Sequence, residues 1–385
     1  MSNTLGNFNP VFYANEALIQ LEKALGMAGR VHRGYEEERN SFNRGETINI
    51  RKPSTFTAQD APSTAQDLET GTTALTLSYW KEVKFKLTDK ELAFTGQKII
   101  DDHIRPAAYA LADDVDQKLC AEYANIPWFH DAANAATPGD DIADVTGTRR
   151  VLFDNSVPMS DDNLHFMVNG LMEQGLIGNA AFAQFQGAGQ EGVNTQMRGS
   201  MGRRYGFEFF ANQNVPSHTK GTASTGTLLA NGTSVVGAET INLDAASVTG
   251  TLVPGDSFVL AGNTQRYAIT NTVTAATNAF AAVTFTPALV AAVADNDACT
   301  VELQTTDAEN MAFHKNAFAL AVAPLPDIAS ELGARVVTVT DPITGLSIRA
   351  RVYYVGNSSE IHVALDILYG LKTLDPNLAT RVRDL

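Results

Sequence analysis

Gly187, Gly189 and Gly192 satisfy G-x-G-x-x-G, the pattern in which a glycine turn lets backbone approach a pyrophosphate at a helix N-terminus. That chemistry needs a buried strand before the motif and a strong helix after it. Ala183 to Gln186 does not read as such a strand, no strong helix follows, and no acidic residue stands in a βαβ context. A flexible loop is expected there instead. No G-x-S-x-G, P-loop lysine motif or H-E-x-x-H occurs.

Asp113, Asp114 and Asp116 are of metal-ligating type, but neighbouring helical positions point in different directions, so a solvated helix face is expected. Asp101 and Asp102, beside His103, suit the N-terminal end of a helix. His314 and Lys315 lie in the apolar stretch Met311 to Ala323. A histidine there reads as a hydrogen-bonded core residue, because no acid at suitable spacing would make it a general base. Lys81, Lys84 and Lys86 alternate with apolar neighbours, as exposed positions of a half-buried strand would. They serve solubility, or they contact an acidic neighbour, which copies of this acidic chain would supply. Cys120 and Cys299 stand far apart and outside any zinc or redox spacing, which suits a reducing or redox-indifferent compartment. No catalytic, cofactor or metal site is predicted, and the chain does not read as an enzyme. A hydrolase or transferase would need a convergent acid, base or nucleophile constellation.

The elements that must position these residues are set by the pattern along the chain. At 385 residues, two or three structural units of about 150 residues are expected, with 44% hydrophobic residues to fill their cores. A net charge of -15 disfavours a protein that binds nucleic acid by neutralising phosphates, but not one that merely encloses it. Met1 to Asn9 lacks the basic-then-apolar form of a secretory signal, so synthesis in the cytosol is expected. Tyr267 to Ala294 is uncharged and long enough to span a bilayer, yet its threonines, asparagines and Pro287 argue against a membrane helix.

Leu18, Leu21, Leu25 and Ala28 put an apolar stripe on a helix over Asn15 to Gly29, which needs a partner surface. Glu16 and Glu22 lie on different faces of that helix. From Glu46 to Leu92 the pattern alternates, with Ile48, Ile50, Leu75, Leu77, Val83, Phe85 and Leu87 as strand positions of a long ribbon whose tip is Pro53 to Thr73. Asp101 to Tyr123 predicts a long helix burying Ile104, Ala108, Leu111, Val115 and Leu119. Asp144 to Pro216 reads as a compact α+β unit, with strands at Leu164 to Val168 and Tyr205 to Phe210. Charged residues then become sparse from Ser217 to Thr305, where short runs such as Ser257 to Leu260, Arg266 to Ile269 and Ala282 to Phe285 predict an inserted all-β domain. Helical and mixed character is expected to resume at Ala308. Arg335 to Thr340, Ser347 to Val355 and Glu360 to Leu368 predict an antiparallel sheet packed on the long helix.

This order of arm, ribbon, long helix, α+β unit with a β insertion and C-terminal sheet resembles the HK97 fold of tailed-phage capsid proteins. The segments Ala312-Phe313-His314-Lys315-Asn316-Ala317-Phe318-Ala319-Leu320-Ala321 and Leu365-Asp366-Ile367-Leu368-Tyr369-Gly370-Leu371-Lys372-Thr373-Leu374-Asp375-Pro376 are similar to segments of P22-like coat proteins. The resemblance implies an α+β fold with an N-terminal arm over residues 1–44, an E-loop over 45–92 and a P-domain with spine helix over 93–143. It further implies an A-domain over 144–216 that returns over 306–334, an inserted β domain over 217–305, and P-domain strands with a C-terminal segment over 335–385. The insertion is short for that family, so contacts of longer insertions do not carry over. Lysine–asparagine crosslinking is absent from P22-like coats and is assigned to none of Lys81, Lys84 or Lys86.

The implied function is a major capsid protein that self-assembles as hexamers and pentamers into an icosahedral shell around double-stranded DNA, without sequence-specific binding and without a membrane. Implied partners are a portal protein and, during assembly, a scaffolding protein, for which Glu16 and Glu22 are candidate contacts; Lys81, Lys84 and Lys86 are candidate inter-subunit contacts. The implied location is the virion capsid, assembled in the host cytoplasm. An encapsulin-like shell enclosing protein cargo is the alternative. An adhesive or carbohydrate-binding virion protein would fit the threonine-rich insertion but not the elements around it.

Overall fold

The computed structural model describes residues 14, 17–19, 26–33, 47–51, 58–61, 65, 71–88, 104–134, 136–224, 227–303, 307–326, 335–340 and 347–383. Most of the arm helix, Glu16 and Glu22 included, lies outside the described residues, as do most of Pro53 to Thr73 and all of Asp101, Asp102 and His103. The chain forms a mixed α+β fold in two compact units, Met1–Val115 with Phe318–Leu374, and Asp116–Ala317 with Asp375–Leu385.

In the first unit, β1 (Thr47–Arg51) and β2 (Thr72–Thr76) form an antiparallel ribbon with Ile48 opposite Leu75. Such a ribbon is marginal alone. It gains a core by packing Ile48, Ile50, Leu75 and Leu77 on Ala319, Ala321 and Ala323. Gly370 is required beneath it, since a Cβ there would collide with the Thr76 carbonyl. The third predicted ribbon strand, β3 (Tyr79–Thr88), departs from expectation: it leaves the ribbon and pairs with β20 (Glu360–Thr373) from Tyr79↔Tyr369 to Thr88↔Glu360. The same strand β20 also pairs with β17 (Phe318–Ala323) and β19 (Ser347–Val355), and β18 (Arg335–Thr340) pairs with β19. The long helix α1 spans Arg105–Cys120 with Pro106 in its first turn, where no amide is lost. Its stripe Ile104, Ala108, Leu111, Val115 and Leu119 is buried throughout.

In the second unit, β4 (Phe129–Asp131), β5 (Leu164–Val168), β6 (Arg203–Arg204) and β7 (Phe207–Ala211) join β16 (Glu309–His314) and β21 (Ala379–Arg383) in one sheet, ordered β4-β21-β16-β5-β7-β6. Helix α2 (Ile142–Asp154), capped by Asp141, and α3 (Gly170–Gly178), capped by Asn169, contribute Leu152 and Leu176 to the same core as Phe166, Phe182, Phe207 and Phe209. Where helical and mixed character was expected from Ala308, the chain forms strands β16 and β17, joined by a single 3-10 turn at Lys315–Ala317. Both strands are buried along their whole length, so neither shows the alternation that would have marked them.

The glycine motif is not a loop. Short α4 (Ala180–Ala183) runs into α5 (Phe185–Arg198), which is broken at Gly189 with φ 58°. A helix, not a strand, precedes the motif, so the dinucleotide geometry is absent. The insertion is a closed barrel of β8 (Thr227–Ala230), β9 (Thr240–Asp244), β11 (Ser257–Leu260), β12 (Arg266–Ile269), β14 (Ala279–Thr286) and β15 (Ala298–Glu302), with β10 (Thr251–Leu252) and β13 (Val273–Thr274) as a separate pair. The rings of Phe258, Tyr267 and Phe285 fill it, each pair of centroids 5.3 Å apart. Closure leaves no open edge, and it explains the uncharged stretch Tyr267 to Ala294 as barrel strands and turns.

Candidate assembly surface

Antiparallel register puts directly opposed residues on one face of a sheet, and alternate residues on the other. Along β3, Trp80, Glu82, Lys84 and Lys86 are exposed, whereas Tyr79, Lys81, Val83 and Phe85 are half-buried. The three predicted lysines are therefore divided. Lys81 turns to the helix side, where its Nζ lies 3.1 Å from Asp114. Tyr369 donates to the same carboxylate at 2.6 Å, and burial, then Asp114, pushes its phenol far above the ordinary range.

Lys84 and Lys86 share the other face with Glu82 and Trp80. Lys86 donates to Glu360 at 2.7 Å, and His362 Nε2 lies 3.2 Å from the same side chain. Those two bonds, Lys86 first, hold the Glu360 carboxyl down to about 2. Lys84 Nζ sits 5.2 Å from the ring centroid of Tyr353, a cation–π contact. At the centre is Asp366, fully buried, which accepts from Arg349 Nε at 3.1 Å and Trp80 Nε1 at 3.2 Å. Arg351 Nη2 lies 3.3 Å from Asp366 and 3.0 Å from Glu82. A buried carboxylate needs this degree of compensation to remain charged. The cluster was not anticipated from sequence; the only signal was alternation, with Arg349, Arg351 and Tyr353 on one strand answering His362, Ala364 and Asp366 on the next.

The remaining candidates resolve into structural roles. Asp113 is exposed as expected, but Asp114 holds Lys81 and Tyr369, and Asp116 is buried and accepts from Asn212. The solvated face is thus confined to one of the three aspartates. His314, buried, meets Asp161 at 2.7 Å, and this bond lowers Asp161 to about 2. The acid that sequence spacing did not supply comes from a loop ahead of β5. Burial raises both thiols, Cys299 to about 12 and Cys120 further, so neither is activated as a nucleophile.

Inside the second unit the barrel is tied to its sheet by polar contacts. Fully buried Arg381 donates to the Gly255 carbonyl at 2.9 Å, and Tyr123 Oη, His218 and Asp256 form a chain with steps of 3.1 and 3.3 Å. Burial raises the Glu309 carboxyl, which lies 3.6 Å from Arg381. A cleft of about 590 Å³ is lined by Trp128, Asp154, Asn155, Gln265 and Arg266 among others. Among the described residues no group of three His, Cys, Asp or Glu could hold a metal, and no helix is long and apolar enough to cross a membrane.

No protein-family model matches the sequence, and no curated protein does. The fold is similar to a solved chain of Mycobacterium phage Che8, with TM-score 0.51 and 13% identity over 94% of this chain and 91% of that one. The capsid of cyanophage P-SCSP1u aligns with TM-score 0.48 and 11% identity, over 88% and 83% of the two chains. A virus-like particle from Pyrococcus furiosus aligns with TM-score 0.42 and 7% identity, over 96% and 97%.

Proposed function

We propose that the chain is the major capsid protein of a tailed bacteriophage, with the HK97 fold of P22-like coats, assembling into an icosahedral shell around double-stranded DNA. The observation that carries this reading is the placement of a closed β barrel between β7 and β16 of a fold that also has a two-stranded ribbon, a long helix and a sheet centred on β20. The sequence likeness of residues 312–321 and 365–376 to P22-like coats supports it. Those segments include parts of β16, β17 and β20, and β16 and β17 are buried along their whole length.

In this reading hexamers and pentamers of the chain build the shell, a portal protein occupies one vertex, and assembly takes place in the host cytoplasm. A scaffolding protein docks on the arm at Glu16 and Glu22 through exposed ion pairs worth about 0 to 1 kcal/mol each, weak enough for later release. Unchanged scaffold affinity and salt dependence in both Glu16→Lys and Glu22→Lys shells would remove the arm from that role. Electron microscopy of particles formed by the purified chain tests the shell itself. Particles from cells that hold a protein cargo and no DNA would favour the encapsulin-like alternative.

A further inference from the structure

We infer that Trp80 is the anchor of a contact between two copies of this chain, its ring seated on the acidic surface of the neighbour. The inference rests on the shell reading and names a residue and partner that it leaves open. Trp80 is 61% exposed, although tryptophan is among the side chains with most to gain from burial. Its exposure is not that of a mobile side chain. The indole N–H is bonded at 3.2 Å to Asp366, which is itself 0% exposed and held by Arg349 and Arg351. The ring is therefore fixed in one orientation before any partner arrives, and little side-chain entropy remains to be lost on contact. Trp80 lies at the end of a row of charged groups, opposite Leu368, and an exposed aromatic anchored beside polar neighbours is the usual form of an interface hot spot.

The charge around it indicates the partner. Where β3, β20 and β19 pair, this face presents Lys84, Lys86 and Arg351 against Glu82 and Glu360, three basic groups to two acidic, with Arg349 and Asp366 buried beneath them. The chain as a whole is at -15. Two copies repel over most of their surfaces, and this face is one that another copy's acidic surface can approach without that penalty.

Trp80 and Trp128 are the two tryptophans of the chain, so fluorescence can isolate the first. In Trp128→Phe, assembly of the purified chain should shift emission to the blue and cut acrylamide quenching of Trp80 by roughly threefold or more relative to free subunits, as water is excluded around the anchor. If Trp128→Phe does not fold, the same quantity is the difference between wild type and Trp80→Phe. Trp80→Ala loses the bond to Asp366, so it should melt cooperatively but below wild type, and it should lose about tenfold or more in apparent association constant. Trp80→His, which keeps a ring N–H but little of the ring area, should also assemble poorly. Particles in which Trp80 stays as accessible as in free subunits would overturn the inference while leaving the shell reading intact. Wild-type chain that forms no particles would overturn the shell reading, and the anchor with it.

Discussion

Asp366 shows how one residue can organise a surface. It is buried with two guanidiniums and an indole around it, so removing it strands positive charge inside the sheet. Losing one partner of a buried ion pair costs about 3–5 kcal/mol, and Asp366→Ala should lower stability by that amount in a denaturant titration of free subunits. A change under about 1 kcal/mol would show that the cluster is no more than a surface network. Asp161 provides a test by pH. Its folded pKa, about 2, lies below the ordinary aspartate value, so its contribution is complete above roughly pH 4 and is lost as pH falls through the folded value. Carboxyl NMR of free subunits should place the Asp161 midpoint near 2, and His314→Gln should move it up toward the unfolded range. A wild-type midpoint near the model-peptide value would mean that the His314 bond does not form in solution.

At the scale of elements, the barrel is the part most able to stand apart. It has its own aromatic core and closed hydrogen bonding, so a fragment of residues 217–305 should melt cooperatively and give dispersed amide resonances. The bonds from Arg381 and Tyr123 would be lost, and the fragment should melt below the intact protein. A collapsed amide spectrum would show that those ties are essential to the barrel. Ser257–Leu260 and Arg266–Ile269 were legible residue for residue, because short β runs between glycine and asparagine turns announce themselves locally. Residues 308–323 were not, since strands buried on both faces carry no period. The ribbon was legible as strands but not in its partners: β3 pairs with residues almost 300 positions away, which nothing local encodes. For the same reason the lysines were grouped from sequence, while the register assigns Lys81 to one face and Lys84 and Lys86 to the other.

At the scale of the whole molecule, the two compact units are assembled from segments far apart in sequence: the chain re-enters the first at β17 and the second just ahead of β21. The similarity to the Mycobacterium phage Che8 chain is one of fold. What converts a fold into a shell is the set of contacts between copies, and those are weak individually and numerous collectively. The measurement that bears most directly on this is electron microscopy of the purified chain as it assembles. The account predicts closed icosahedral particles built of hexamers and pentamers, with Trp80 covered at a junction between copies. A chain that stays monomeric under all assembly conditions, or that forms only open filaments, would contradict it.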